Sequence, residues 1–224
     1  MNSFQRTRKV QSQVLIVSKT RMANDCVCIG GIDTGNKKSV RLMNEGGYHD
    51  YIDDCPFNIR EVWNIAYSKN KVRSLPHSED IEVISKEMSY VLDSEKSMLD
   101  FLIEIQFNVY QGSIFNTFEG KLKCTDSGTF YISEDDVPNN STCFWICDSV
   151  IRRDDYNDKI RYNYNDGNRT FRWGHRIAYV GLEDNPAQII QRGTLVRLSL
   201  AHWWAPEDSD TEERCYLQLS GWYE

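Results

Sequence analysis

Histidine is scarce in this 224-residue chain, with only four, at positions 49, 77, 175 and 202, and none at a metal-ligand spacing. There is no GxxxxGK[ST] phosphate loop and no supported Ser–His–Asp order, which removes P-loop hydrolysis and serine-type acyl transfer from consideration. No run nears the roughly eighteen apolar residues of a membrane span. The N-terminal part has only ValLeuIleVal at 14–17, too short for the centre of a signal peptide. A cytoplasmic chain is expected, with no membrane partner. A disulfide framework is lacking too: the seven cysteines (26, 28, 55, 124, 143, 147 and 215) are odd in number and scattered. Cys26/Cys28 and Cys143/Cys147 lie in the strand-like runs CVCIG and CFWIC, where they read as small core residues and not as zinc knuckles. No metal, no cofactor and no small-molecule substrate is expected.

The net charge of -7 is unevenly spread. Residues 1–75 carry 12 Lys+Arg against 7 Asp+Glu, residues 76–148 carry 4 against 14, and residues 149–224 carry 10 against 12. The balance as a whole counts against a strong, unassisted binder of nucleic acid, which is usually basic. Local sign steers a polyanion more than net charge does, however, so the basic N-terminal part keeps that class open.

The first ninety residues read as five short strands, Val14–Ser18, Cys26–Ile32, Ser39–Met43, Val62–Ser68 and Ile81–Ser85, with turn-forming AsnAsp, AspThrGlyAsn and GluGlyGly between the first four. Five strands without intervening helices suit a small barrel of the oligonucleotide/oligosaccharide-binding (OB) type. Helical spacing then appears over 92–105, capped by Asp93 or Ser94, and suggests a helix bridging two lobes. Residues 107–142 are irregular and acidic, and Ser133–Ser141 resembles a linker. From 143 the chain is β-rich again. The expected fold is mainly β with minor α, two small OB-like β-barrels joined by a helix and an acidic insert, divided as 1–91, 92–142 and 143–224.

Two regions resemble a known family, the bacterial dual OB-fold-containing domain. The likeness rests on CysIleGlyGlyIleAspThrGly, SerValArgLeuMet and LeuProHisSerGluAspIleGluVal in the first part. In the second it rests on ValArgLeuSerLeuAlaHisTrpTrpAlaPro and TyrLeuGlnLeuSerGlyTrpTyr. The resemblance implies a non-enzymatic module associated with nucleic acid in bacterial defence or mobile-element systems, and it supplies no catalytic residues.

The densest cluster of chemistry is RYNYNDGNRTFRWGHR at 161–176. AspGly at 166–167 signals a tight hairpin, pairing Tyr164 with Arg169, Tyr162 with Phe171 and Arg161 with Arg172. Tyr162, Phe171 and Trp173 then fall on a core face, whereas Tyr164 near the tip is a stacking candidate. Arg161 and Arg172 oppose each other on the other face. They either meet carboxylates such as Asp154, Asp155 and Asp158 or grip phosphate, for which the planar guanidinium is suited. The nucleic-acid set is Arg161, Tyr164, Arg169, Arg172 and Arg176, extended by Lys19, Arg21 and Arg41 of the first part. Trp203 and Trp204 follow a strand on which neighbours alternate, so one faces outward and reads as a protein-partner contact. Asp100 with Glu119-Gly-Lys121 imitates a nuclease spacing, but Asp100 falls on the helix and not on a sheet. The expected function is a non-catalytic DNA- or RNA-binding subunit. Its rival is an adaptor that docks a catalytic partner, a helicase or nuclease, in a larger complex.

Overall fold

The computed structural model describes residues 9–69, 74–155, 157–167, 174–207 and 211–224. The chain divides into two units, Met1–Arg73 with Glu79–Lys96 and Ser74–Ser78 with Ser97–Glu224.

In the first unit the five expected strands are present and longer than their apolar cores: β1 (Val10–Arg21), β2 (Cys26–Asp33), β3 (Lys38–Met43), β5 (Glu61–Lys69) and β6 (Asp80–Val91), with a two-residue β4 (Asp50–Tyr51) beside β2. The register shift of β1 between Ile16 and Ser18 bends this strand, so that it pairs β2 along one edge and β5 along the other. The β3–β6 pair is parallel and the β5–β6 pair antiparallel. The path β1-β2-β3-β6-β5-β1 therefore closes a five-stranded barrel, filled by Leu15, Ile29, Ile32, Leu42, Val62 and Ile65. It is the strand order of an OB fold.

Arg60 sets where this unit ends. Its guanidinium donates to the backbone carbonyls of Asp93 and Lys96 (2.7 Å for the latter), holding that segment out of the following helix. The helix α1 (Met98–Glu104) accordingly starts three residues or more past the expected caps. Ser97 is its N-cap, its Oγ accepting from Asp100 N at 3.1 Å. It falls within the second unit and not in a separate connecting segment. The boundary expected within 107–142 is likewise corrected, because Ile114, Phe118, Leu122, Phe130 and Ile132 all enter the second core.

The second unit adds β7 (Val109–Tyr110), β8 (Lys123–Cys124), β9 (Phe130–Ser133), β10 (Thr142–Ile146), β11 (Ile151–Arg153), β12 (Arg161–Tyr164), β13 (His175–Tyr179), β14 (Ile189–Ile190), β15 (Leu195–Leu200) and β16 (Arg214–Tyr223). β11 pairs β12, β12 pairs β13, β13 runs parallel to β16, β16 pairs β15 and β15 pairs β10. If β10 and β11 are taken as two pieces of one interrupted first strand, this is the OB order again. The break at 147–150 leaves a half-barrel where the first unit is closed. Trp145, Tyr162, Tyr164, Ile177, Val196 and Leu219 fill its interior, each 1% exposed or less. All seven cysteines are free thiols. Cys143, Cys147 and Cys215 are buried, and Cys26, Cys28, Cys55 and Cys124 are half-buried. Among the described residues, no helix is long and apolar enough to cross a membrane.

Candidate nucleic-acid interface

Pairing on β11–β12–β13 fixes which side chains share a face. Tyr162 pairs with Ile177 and Tyr164 with His175, and all four are buried, so that face is core. The alternate residues form the outer face. Arg152 pairs with Asn163, and Asn163 with Arg176, which makes one row of arginine, asparagine and arginine across three strands. Arg161, two residues from Asn163 on the same face, pairs with Ala178. With strands about 4.8 Å apart, Arg152 and Arg176 stand roughly 10 Å apart at the backbone, and Arg161 about 7 Å along from Asn163.

The partners of these arginines differ. Arg176 Nε lies 3.1 Å from Asp154 Oδ2, with both side chains 41% exposed, so the pair is solvent-screened and weak. Arg153, which has its carboxylate within its own turn, is held by Asp155 (2.8 Å) and Asn185 (3.0 Å). Arg152 is exposed, and neither it nor Arg161 makes an ion pair among the described residues. Arg161 Nε is buried without a hydrogen-bond partner among those residues. A buried guanidinium N–H without an acceptor is costly.

The expected hairpin register is corrected. Described pairs place Arg161 opposite Ala178, not Arg172, and Tyr164 opposite His175, not Arg169. Among the described residues Tyr164–His175 is the last ladder pair, and beyond it Gly167 N donates to Asn165 Oδ1 (2.8 Å) in a side-chain-closed turn. At the far end Gly174 has φ +70°, and a Cβ there would come within 2.7 Å of Tyr164 O. Tyr164 is 1% exposed and not at a tip. Its hydroxyl donates to Asp148 Oδ1 (3.0 Å), and burial together with that carboxylate pushes its phenol well up. It is a core residue and cannot stack on a base. Arg169 and Arg172 lie outside the described residues.

In the first unit, the equivalent outer face of β2–β3 holds Arg41 opposite Gly30. Arg41 is held bidentately by Asp80 through one guanidinium edge, Nε to Oδ1 and Nη2 to Oδ2 at 2.9 Å, with only 17% of its side chain exposed. Lys19 is half-buried with its charge acting on Glu61, and Arg21 is exposed beside Val27. These three do not form one cluster. Of the tryptophans, Trp203 is half-buried and donates from Nε1 to Leu75 O (3.0 Å), whereas Trp204 is 55% exposed. The nuclease-like trio is dispersed: Asp100 serves the helix cap, and Glu119 pairs with Lys121 at 3.2 Å. Arg152 escaped the sequence reading because ValIleArgArgAsp gives no sign of where the interrupted first strand resumes.

A family model for the dual OB-containing domain matches residues 12–222. The chain belongs to the dual OB-containing domain family. Its two OB-type units make up that domain, with the interrupted barrel supplying the outer arginine face. No curated protein matches the dual OB chain. Among solved structures it is similar to a murine DNA-binding protein bound with double-stranded DNA. That match covers 96% of this chain and 97% of that one at 10% identity, with a TM-score of 0.32.

Proposed function

We propose that this dual OB domain is a non-catalytic nucleic-acid-binding module whose contact surface is the outer face of β11–β12–β13. The observation that carries this reading is the Arg152–Asn163–Arg176 row with Arg161 beside it, on the strands an OB fold uses for oligonucleotides. Arginine forks grip phosphate at two points, and release of condensed counterions supplies the driving force. The contrast with Arg41, already neutralised by Asp80, favours the second unit over the first. A cytoplasmic setting in bacterial defence or on mobile elements belongs to the same proposal and rests on the family resemblance alone.

The test is fluorescence anisotropy with labelled single-stranded and duplex oligonucleotides at two salt concentrations. Replacing Arg152, Arg161 and Arg176 together by alanine is expected to weaken binding by about ten-fold or more at low salt. It should also flatten the log–log salt slope by about 2, three phosphate contacts at roughly 0.7 each on a single strand. A wild-type chain that binds neither form at low salt rejects the proposal.

The adaptor reading also has an observation of its own. β3 pairs β6 only at Asp80–Glu82, and beyond it Ile84, Met88, Tyr90 and Val91 are 44–57% exposed along the strand. A long edge of that kind suits addition of a partner's strand. Such an apolar contact would hardly respond to the salt that dissociates phosphate, so the same titration, run with a candidate helicase or nuclease, separates the two.

A further inference from the structure

The arginine face is continuous with a second feature. Ala178, the neighbour of Arg161, pairs in turn with Gln218 of β16, so Arg161, Ala178 and Gln218 form one outer row. Burial along β16 alternates, with Cys215, Leu217 and Leu219 inside and Arg214, Tyr216 and Gln218 half-exposed. Tyr216 therefore lies on the same outer face as the arginines, about 7 Å along the strand from Gln218. On it leans Trp204, ring centroids 6.0 Å apart.

Trp204 is exposed, yet its backbone is fixed. Trp204 N donates to Arg214 O (3.1 Å) and Arg214 N to Trp204 O (2.9 Å), a bridge that sets the tryptophan beside β16. Tyr216 is backed by Tyr131 of β9 at 6.5 Å, and the Arg214 guanidinium sits 4.1 Å over the Tyr131 ring. An indole 55% open to water, held by its backbone bridge and flanked by Tyr216, presents an accessible π-face. Beside it, Glu212 is already taken up by Arg214 (3.3 Å) and Ser133 (3.1 Å).

We infer that Trp204, supported by Tyr216, is a base-stacking platform that makes the arginine face selective for unpaired nucleic acid. The inference rests on the reading in the preceding subsection and adds the strandedness of the ligand. The phosphates of a single strand lie on Arg152, Arg161 and Arg176, and a base of the same strand stacks on Trp204. In a duplex the base faces are already stacked on one another, so the platform has nothing to receive except at an end. Stacking on one aromatic side chain is largely sequence-tolerant.

The experiment compares the full chain with Trp204→Ala and Trp204→Phe, titrated against a labelled fifteen-nucleotide single strand and a duplex of the same sequence. For Trp204→Ala, single-strand affinity is expected to fall about ten-fold, within the range of one lost stacking contact, with duplex affinity within about two-fold of wild type. Trp204→Phe should retain most of the single-strand affinity. The salt slope of Trp204→Ala should equal that of the wild type, because no phosphate contact is removed. Equal weakening on both ligands, an unchanged single-strand affinity or an altered slope overturns the platform while leaving the arginine face standing. A wild-type chain that binds neither ligand overturns the arginine face and the platform together.

Discussion

Trp145→Ala is expected to destabilise the second unit by about 3–5 kcal/mol. The side chain is fully buried on the inner face of β10, packed edge-on against Tyr164 at 5.6 Å. Its Nε1 donates to Gly112 O at 2.8 Å, tying the chain before the first 3-10 turn to the barrel. Truncation leaves a cavity the size of an indole and orphans a carbonyl, and the two effects add. β10 carries β15, and Tyr164 stands behind the arginine row, so the loss spreads to both sides of the break in the first strand. Hydrogen exchange, read segment by segment, is the measurement of choice. Protection should drop across 142–146 and 195–200, with β1, β2 and β5 as the internal comparison. A cost below about 1 kcal/mol would show that Trp145 is not the centre of this core.

The second large effect belongs to the first unit. Asp33, at the end of β2, is 1% exposed, and its carboxylate accepts from Ser12 Oγ (2.5 Å), Tyr67 Oη (2.6 Å), Asn36 N (3.0 Å) and Asn36 Nδ2 (2.7 Å). Burial alone would push the carboxyl up. Hydrogen bonds from Ser12, Tyr67 and Asn36 outweigh it and hold the group below its usual range. Asp33→Ala is expected to cost on the order of 3 kcal/mol near neutral pH, because it strands the buried Tyr67 hydroxyl and opens the turn at 33–36. The pH dependence has a definite sign. With the folded pKa depressed, the ionised carboxylate stabilises the fold fully above the ordinary aspartate pKa, and that part is lost as pH falls through the lower folded value. Urea midpoints should therefore differ most between wild type and variant at pH 7 and converge in strong acid. A gap that is constant across that range would mean that shape and not charge is what Asp33 contributes.

Both barrels were legible in the sequence because their strands carry the period-two pattern of half-buried sheet, as in CysValCysIleGly and LeuValArgLeuSerLeu. The helix cap was misplaced by three residues or more because Asp93, Ser94 and Ser97 are equally good caps locally. The choice among them is made by Arg60, some thirty residues away. The arginine register failed for a related reason. AspGly is a local turn signal, whereas the last ladder pair is set by Tyr164 and His175 packing inside, His175 against Phe130 at 4.4 Å. The in–out alternation of β12 survived that error, so Arg161 faces outward as expected. Arg152 joined it only through the restart of an interrupted strand, and Tyr216 and Trp204 only through a parallel pairing between distant segments. Neither relation leaves a trace in local composition.

The free thiols give this chain a built-in clock for its own opening. Burial pushes the thiols of Cys143 and Cys215 up to about 12, which disfavours the reactive thiolate. Cys147 is buried as well, its Sγ donating to Gln191 O at 2.8 Å. An alkylating reagent followed by peptide mass spectrometry thus labels Cys26, Cys28, Cys55 and Cys124 in the folded state. The slower appearance of label at 143, 147 and 215 then times the exposure of the second unit's core, without any probe being engineered into it.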